Sequence, residues 1–337
     1  VIIAPGTEDR RSRMLGGEII TVRSPSLPLD HRYCRFSRAE PIHELLDSLS
    51  PDVVEASSPW RGAWIVSSWS GRAARSLFLH QDPVAVYPHS VLSPRLNETR
   101  VDQLFGWFWS YLRQVAMKFD QTVVSSRWFA GRILRHCGLE PVVLPLGVDR
   151  TVFYGGRRCE TARLAMLNAC GHADPEAILF IAVSRFHPEK RLHMMMDAFE
   201  IFGAKRKAGL YIIGDGPTWR SVRRRAERSP HIRLAGVISD RAELAKRLAS
   251  ADYFLHAGAA ETFGLAVAEA LASGLPLVAP HLGGAAEIAH PAHSETYRAG
   301  DMIACAACRH GPCLGDAAHT RVDFDRPSMG RTCDRRL

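Results

Sequence analysis

Apolar and polar positions alternate in a regular order along the second half of the chain. Residues 177–186 (AILFIAVSRF) form an apolar run of strand length that ends in the charged segment HPEKR, and residues 192–208 repeat apolar positions at helical spacing. The same order continues with strands predicted at 210–216, 231–237, 252–258 and 275–284, and helices at 218–229, 241–251, 263–274 and 285–289. This pattern predicts a parallel sheet covered on both faces, with a ligand at the carboxyl ends of its strands.

The first half shows the same order more weakly. Strands are predicted at 1–6, 51–57, 76–82, 121–126 and 141–149, and helices at 42–50, 62–76 and 101–119. The fold class is therefore α/β with two Rossmann-like layers. We predict an N-terminal domain at 1–150, a linker region at 151–177, a C-terminal domain at 178–290, and a partial helix with an irregular tail at 291–337.

Composition sets broad limits on the protein. With 337 residues, 46% hydrophobic and 23% charged, the chain can bury the cores of two globular domains. It contains no apolar run of the roughly 18 to 20 residues that a membrane span needs, and its opening does not read as a secretory signal, so we predict a cytoplasmic location. The 8 cysteines are too sparse for a disulfide scaffold. A net charge of +8 admits nucleic acid, anionic lipid or phosphorylated substrates as partners.

Two glutamates stand out in the nearly uncharged segment 256–289. Glu261 and Glu269 lie eight positions apart, with Gly264 between them. We predict that Thr262 caps a helix whose first-turn N–H groups form an anion site beside Glu261. Glu269, about two turns further on, would then accept hydrogen bonds from a ribose diol. The alternative is that both glutamates only solvate one face of an amphipathic helix.

These residues resemble the retaining glycosyltransferases of family 4, which have the two-domain GT-B fold. Residues 261–289 are similar to that family's signature of two glutamates separated by seven residues and followed by a glycine pair. Four further stretches match it in order, at 142–153, 183–199, 210–217 and 231–244. The resemblance implies two Rossmann-like domains facing across a cleft. It also implies transfer of a hexose from a nucleoside-diphosphate sugar to a saccharide or lipid-linked acceptor.

The resemblance also assigns catalytic roles. Arg185 and Lys190 match the basic pair that stabilises the departing diphosphate, and Glu261 matches the glutamate at the donor sugar hydroxyls. His80 matches a histidine at the acceptor and donor sugar, although a lone histidine after a strand is also common as a structural residue. Retention requires attack on the face that the diphosphate leaves or a double displacement, and we favour front-face attack.

The remaining predicted contacts bind the donor. Glu269 matches the ribose ligand, and Phe263, Gly264 and Leu265 match the backbone amides at the sugar and phosphate. The nucleobase is expected near Gly236 and Val237. We predict no metal and no cofactor beyond the nucleotide sugar itself. Three thiols and a histidine at 305–313 (CAACRHGPC) offer zinc ligands in principle, but reduced cysteines are the preferred interpretation.

Alternative functions remain open from the sequence. A sugar-nucleotide epimerase also needs a diphosphate clamp, and a basic protein without enzymatic activity could bind nucleic acid, although no recognition module is present. We predict no nucleic-acid partner. The aromatic segment 105–111 (FGWFWSY) packs in the core, lines an acceptor site, or makes peripheral contact with a membrane face.

Both ends of the chain depart from the family pattern. The first predicted strand, at 1–6, is similar to the family's second strand, and the segment after residue 313 does not resemble the family's returning helices. We therefore expect a chain truncated at both ends.

Overall fold

The computed structural model describes residues 1–308 apart from residues 15, 28–29 and 93–95, and within this range the chain forms two compact units. The first unit contains residues 1–80, 102–125 and 130–144. The second contains residues 81–101 and 126–129 together with the described chain from residue 145 onward. Each unit has its own sheets and is described separately below.

Short strands and helices alternate up to residue 144. The strands are β1 (Ile2–Gly6), β2 (Arg10–Met14), β3 (Gly17–Arg23), β4 (Ser26–Leu27), β5 (Asp30–Cys34), β6 (Val53–Ala56), β7 (Ala74–Leu79), β8 (Gln121–Val124) and β9 (Val142–Val143). The helices are α1 (Glu40–Leu49), α2 (Arg61–Ser68), α3 (Pro83–Val86), α4 (Pro88–Leu92), α5 (Glu98–Leu104), α6 (Gly106–Ala116) and α7 (Arg127–Cys137).

The first unit has a parallel sheet in the order β6-β7-β8-β9, as expected from the apolar runs. Three predicted elements differ from those observed. The helix predicted at 62–76 ends at Ser68, because Trp69 adopts an extended backbone, and its ring then lies over Gly71, where a Cβ would be 2.1 Å from it. The helix predicted at 101–119 is interrupted at Phe105, and the strand predicted at 141–149 shortens to β9. The strands β2, β3, β4 and β5 were not predicted from the sequence.

From residue 145 onward the described chain lies entirely in the second unit. Its strands are β10 (Ile178–Val183), β11 (Ala208–Ile213), β12 (Ile232–Gly236), β13 (Tyr253–Leu255), β14 (Leu277–Pro280) and β15 (Ser294–Tyr297). Its helices are α8 (Glu160–Ala169), α9 (Leu192–Gly203), α10 (Trp219–Ala226), α11 (Arg241–Ser250), α12 (Leu265–Ala272), α13 (Gly284–Ile288) and α14 (Met302–Ala307). The region 151–177 thus carries helix α8, whose Met166 and Leu167 are buried.

The strands of the second unit form a six-stranded parallel sheet in the order β12-β11-β10-β13-β14-β15. Alternate residues of β10 enter two separate apolar clusters: Leu179 and Ile181 pack on one face, and Phe180 and Ala182 on the other. Burial on both faces explains the unbroken apolar runs in the sequence. The parallel α/β layer predicted for this half is confirmed.

The strand order determines where a ligand site belongs. Starting from β10, the chain first adds β11 and β12 on one side and then returns to add β13 on the other. In such doubly wound sheets, ligands bind outside the carboxyl ends of the strands at the point where the order reverses. This point lies between β10 and β13, so the loops after Val183 and Leu255 carry the candidate site.

Candidate active site

The loop after β10 is held by the loop after β11. Phe186 is fully buried, and its N–H donates to the carbonyl of Asp215 over 2.8 Å. A Cβ at Gly214 would lie 1.8 Å from the carbonyl oxygen of Ser184, and one at Gly216 would lie 2.5 Å from that of Phe186. The glycines of the segment GDGP therefore allow two loops to approach closely, and they position the charged residues that follow Phe186.

Lys190 and Glu261 join the two loops of the switch point. Lys190 ends the 3₁₀ turn Pro188–Lys190, and its Nζ donates to Oε1 of Glu261 over 2.5 Å. Nε2 of His256, directly after β13, lies 3.7 Å from the same carboxylate oxygen. Both partners of the ion pair are largely buried, with 15% of the Lys190 and 20% of the Glu261 side chain exposed.

The electrostatics of this pair favour its charged form. Burial alone lowers the pKa of the Lys190 ammonium, but the Glu261 and Glu189 carboxylates more than offset this, and the pKa is raised above its usual value. Burial raises the pKa of Glu261, but Lys190 outweighs it, and the pKa falls below its usual value. Burial lowers the pKa of the His256 imidazole, which favours its neutral form. The carboxylate and the ammonium thus keep each other ionised in a buried position.

Glu189 connects the two predicted phosphate ligands. Its buried carboxylate lies 3.6 Å from Nη2 of Arg185, 3.6 Å from Nζ of Lys190 and 3.7 Å from Nδ1 of His187. The Arg185 side chain is 50% exposed and is available to an incoming anion. Glu189 was not among the predicted site residues, although its place between Arg185 and Lys190 in RFHPEK was the signal that could have revealed it.

The glycine pair after β14 fixes the segment 261–264. The N–H of Gly284 donates to the carbonyl of Glu261 over 2.6 Å, and a Cβ at Gly284 would lie 2.5 Å from the carbonyl oxygen of Thr262. Helix α12 begins after Gly264, which has φ of 90° and provides no side-chain cap. The predicted cap at Thr262 is therefore wrong, because only a glycine readily adopts the turn at the helix start. The first-turn N–H groups have no helical partners and remain available to a ligand.

The predicted backbone ligands lie around this turn. Phe263 is buried, Gly264 makes the turn, and Leu265 is the first residue of α12 with 43% of its surface exposed. Gly236 and Val237 lie at the carboxyl end of β12, on the same edge of the sheet. Gly236 has φ of 72°, and Val237 is 64% exposed. Their contacts with a donor stay predictions.

Glu269 lies in the second turn of α12 and faces α11. It is buried, and Nη2 of Arg241 lies 2.9 Å from its Oε1. That contact is an ion pair without hydrogen-bond alignment, and Oε1 of Glu269 accepts no hydrogen bond from the described residues. Burial raises the pKa of the Glu269 carboxyl, and Arg241 opposes the rise. The structure thus brings Arg185, Lys190 and Glu261 into one cluster, while Glu269 faces a separate cation on the same sheet edge.

His80 belongs to the first unit. It follows β7, and its ring stacks on that of Phe78 with centroids 4.1 Å apart. Burial lowers the pKa of the His80 imidazole, and Glu55 partly offsets this. The ring therefore favours the neutral form at physiological pH, and its predicted role at the acceptor stays a prediction.

The described part of the chain contains neither a metal site nor a membrane-spanning helix. Residues 1–308, outside the gaps named above, hold no group of three or more His, Cys, Asp or Glu side chains arranged for a metal. Burial raises the pKa of the Cys305 thiol to about 11 and that of Cys308 to about 12. His310 and Cys313 of the zinc interpretation lie outside the described residues. No described helix is long and apolar enough to cross a bilayer.

Comparison with known proteins matches both halves of the chain to family models. Residues 1–152 match the model of Glycosyltransferase Family 4, and residues 177–307 match that of Glycosyl transferases group 1. A GDP-mannose-dependent alpha-(1-6)-phosphatidylinositol dimannoside mannosyltransferase of Mycobacterium tuberculosis (strain ATCC 25177 / H37Ra) is 31% identical over 301 residues, which cover 85% of this chain and 72% of that protein.

A second relative and a solved structure agree with these matches. A GDP-mannose-dependent alpha-mannosyltransferase of Corynebacterium glutamicum is 27% identical over 292 residues, which cover 84% of this chain and 65% of that protein. Sucrose-phosphate synthase from Thermosynechococcus elongatus is similar in structure with a TM-score of 0.69 and 18% identity, over 90% of this chain and 76% of that chain. The two-domain GT-B fold class expected from the sequence is confirmed.

Proposed function

Because the chain belongs to glycosyltransferase family 4 and is a glycosyltransferase, we propose that it transfers mannose from GDP-mannose with retention of the anomeric configuration. The choice of donor is supported by the names of the two mannosyltransferases to which the chain is similar. The observation that carries the proposed mechanism is the Lys190–Glu261 ion pair beside Arg185 at the switch point of the sheet. The family matches favour transfer over the epimerase and nucleic-acid alternatives.

The cations act on the leaving group. In the free protein Lys190 is paired with Glu261, while half of the Arg185 side chain is exposed. As the bond between the anomeric carbon and the diphosphate oxygen breaks, negative charge grows on that oxygen, and both cations stabilise it. Lys190 keeps Glu261 ionised, so the carboxylate can accept hydrogen bonds from the hydroxyls of the donor sugar.

The acceptor completes the reaction on the same face of the sugar. Its hydroxyl oxygen bonds to the anomeric carbon as the diphosphate departs, and the departing phosphate oxygen takes the hydroxyl proton. One carbon–oxygen bond breaks and one forms, so no oxidant or reductant enters the step, and we propose that it requires no metal. We assign His80 to the acceptor side of this reaction on the family resemblance.

The donor is held by backbone and ribose contacts. We assign the amides of Phe263, Gly264 and Leu265 to the sugar and the phosphate, because an uncapped helix N-terminus attracts anions. Glu269 accepts hydrogen bonds from the ribose hydroxyls. We assign the base to Gly236 and Val237 at the end of β12, because a Cβ added at Gly236 would have no other atom within 4 Å.

A lipid-linked acceptor would be met at a membrane face. Phe108 and Trp109 of α6 are buried, so part of the aromatic segment packs in the core, whereas Trp107 is 67% exposed and Trp60 is 51% exposed. Ring contacts connect Trp107 to Phe108 at 6.0 Å and Phe108 to Trp60 at 5.8 Å. Exposed tryptophans of this kind suit the boundary between water and lipid.

Substituting Trp107 by Ala is expected to weaken sedimentation with vesicles containing phosphatidylinositol, and unchanged sedimentation would contradict this role.

The proposed function is tested by transfer with defined donors. The chain is incubated with GDP-mannose or UDP-glucose and a phosphatidylinositol mannoside acceptor, with and without a chelator, and the product linkage is read by NMR. The expected product is an α-mannoside formed from GDP-mannose, both with and without the chelator. The Arg185→Met variant is the inactive control. A β-linked product, or conversion of the donor to an isomeric sugar nucleotide without transfer, would contradict the proposal.

A further inference from the structure

We infer that Arg241 is a positioning residue that orients Glu269 toward the ribose of the donor and balances its negative charge. This inference rests on the proposed ribose role of Glu269. Arg241 lies within the stretch 231–244 that resembles the family, but the sequence analysis assigned it no role. It is implicated by its position in the structure, as the first residue of α11 facing the second turn of α12.

Glu269 has a bonding capacity that the described chain leaves unfilled. Its side chain is 5% exposed, and Nη2 of Arg241 approaches Oε1 to 2.9 Å without the alignment of a hydrogen bond. Buried polar atoms are normally hydrogen-bonded, so an unsatisfied buried carboxylate oxygen between two packed helices calls for a ligand. A ribose diol supplies two hydroxyl donors to one carboxylate.

Arg241 is itself held in place from several sides. Asp240 caps α11 by accepting from the N–H of Ala242 over 2.8 Å, which fixes the backbone beside Arg241. The guanidinium lies 4.7 Å from the ring centroid of the fully buried Phe153, and it also acts on the carboxylate of Asp149. The side chain nevertheless remains 56% exposed. A half-exposed arginine anchored on an aromatic ring can hold a buried carboxylate without closing access to it.

The charge of Glu269 depends on this neighbour. Burial raises the pKa of Glu269, and Arg241 is the charged group of the described chain that opposes the rise. Without the guanidinium, the pKa would rise further, and a larger fraction of Glu269 would be neutral near pH 7. A neutral carboxyl group accepts hydrogen bonds more weakly than a carboxylate, so the ribose contact would weaken as the pH falls.

A different result is expected if the ion pair between Arg241 and Glu269 is merely structural. If Arg241 only joins α11 to α12, its removal lowers stability but leaves the preference for ribose unchanged in the folded protein. If it positions Glu269, the loss falls on the ribose hydroxyls and depends on pH. Discrimination between a ribonucleotide and its 2′-deoxy analogue separates the two roles.

The experiment compares binding of GDP, 2′-deoxy-GDP and pyrophosphate by titration calorimetry at pH values of about 6 and 8, on either side of neutrality. The wild-type chain is expected to prefer GDP over 2′-deoxy-GDP by about tenfold, the range of one charged hydrogen bond. In Arg241→Gln this preference falls to about twofold or less, and the affinity for GDP drops further at the lower pH. Pyrophosphate binding stays unchanged, and Arg241→Lys retains more of the preference than the Gln variant.

The outcomes separate the inference from the function on which it rests. If the wild-type chain does not distinguish GDP from 2′-deoxy-GDP, the ribose role of Glu269 fails. If the wild-type chain does distinguish them and Arg241→Gln does so equally at both pH values, the role of Arg241 is overturned while the proposed function stands. Should the Gln variant not fold, Arg241→Met, whose aliphatic stem still packs on Phe153, takes its place and the same outcomes decide.

Discussion

The two units of the molecule differ in how their strands are buried. In the second unit β10 is buried on both faces, and the charged loops at the carboxyl ends contact one another through Lys190, Glu261 and Glu189. In the first unit β2 is mostly exposed and β1 is only partly buried, the strands are divided among several small sheets, and the candidate residue His80 stacks on Phe78 of the strand it follows. The second unit is therefore where side-chain chemistry is fixed by tertiary contacts.

This difference separates two tasks, which are binding of the donor diphosphate and recognition of the acceptor. Binding a diphosphate requires cations held at fixed positions, and a doubly wound sheet provides them at its switch point. Recognition of an acceptor depends on loops that a scaffold carries, and such loops tolerate more variation. We expect substitutions in the Lys190 cluster to affect both folding and donor binding, and substitutions at exposed positions of the first unit to affect folding little.

The largest effect on stability is expected from Lys190→Met. This change leaves the carboxylates of Glu261 and Glu189 buried without their shared cation, which should lower the free energy of unfolding by about 3 to 5 kcal/mol. The matched variant is Arg185→Met, which removes a half-exposed cation from the same Glu189 carboxylate and should cost about 0 to 1 kcal/mol. Urea unfolding of both variants measures the difference. Equal losses would show that the Lys190–Glu261 pair is no more important to the fold than a surface contact.

A smaller effect on stability is expected from glycine-to-alanine substitutions. In Gly284→Ala the new Cβ would lie 2.5 Å from the carbonyl oxygen of Thr262, so the segment that carries Glu261 must shift, at a cost of about 1 to 3 kcal/mol. Gly106, the first residue of α6 in the first unit, has open space around the corresponding position. Gly106→Ala should be neutral or stabilise by up to about 1 kcal/mol. The melting temperatures of the two variants measure this difference in stability. Equal melting temperatures would contradict it.

The smallest expected effect is on the decline of stability at acidic pH. The pKa of folded Glu261 lies below its ordinary value of 4.5, so its contribution to stability is complete above that value and is lost as the pH falls through the lower folded pKa. Glu261→Gln removes this titrating group and should flatten the decline of the urea midpoint below pH 4.5. A variant whose midpoint declines as steeply as that of the wild type would refute the assigned direction of the shift.

The sequence predicted the second unit well because each of its strands is an apolar run followed by a charged or glycine-containing loop. It missed β2, which reads RRSRM and has no apolar periodicity, because this strand is held by pairing with β3 rather than by burial. It also extended the helix at 62–76 past Ser68, since packing of Trp69 against Gly71 cannot be read from periodicity.

The site was predicted unevenly for a related reason. Arg185, Lys190 and Glu261 come from motifs that are local in the chain, and the fold brings them together. Arg241 faces Glu269 only because α11 packs beside α12, and no pattern in the sequence links the two residues. Glu189 was within a recognised motif, but its burial among the side chains of Arg185, His187 and Lys190 depends on tertiary packing.

The central claim is that donor binding resides in the cationic loop of the second unit. It is tested most directly by titration calorimetry of GDP with the wild-type chain, Arg185→Met and His80→Ala. We predict that Arg185→Met weakens binding by about tenfold or more, because a charge-assisted contact with the diphosphate is lost, and that His80→Ala changes it by less than about twofold. Undiminished GDP binding by Arg185→Met, or a loss of binding in His80→Ala comparable to that predicted for Arg185→Met, would contradict the account.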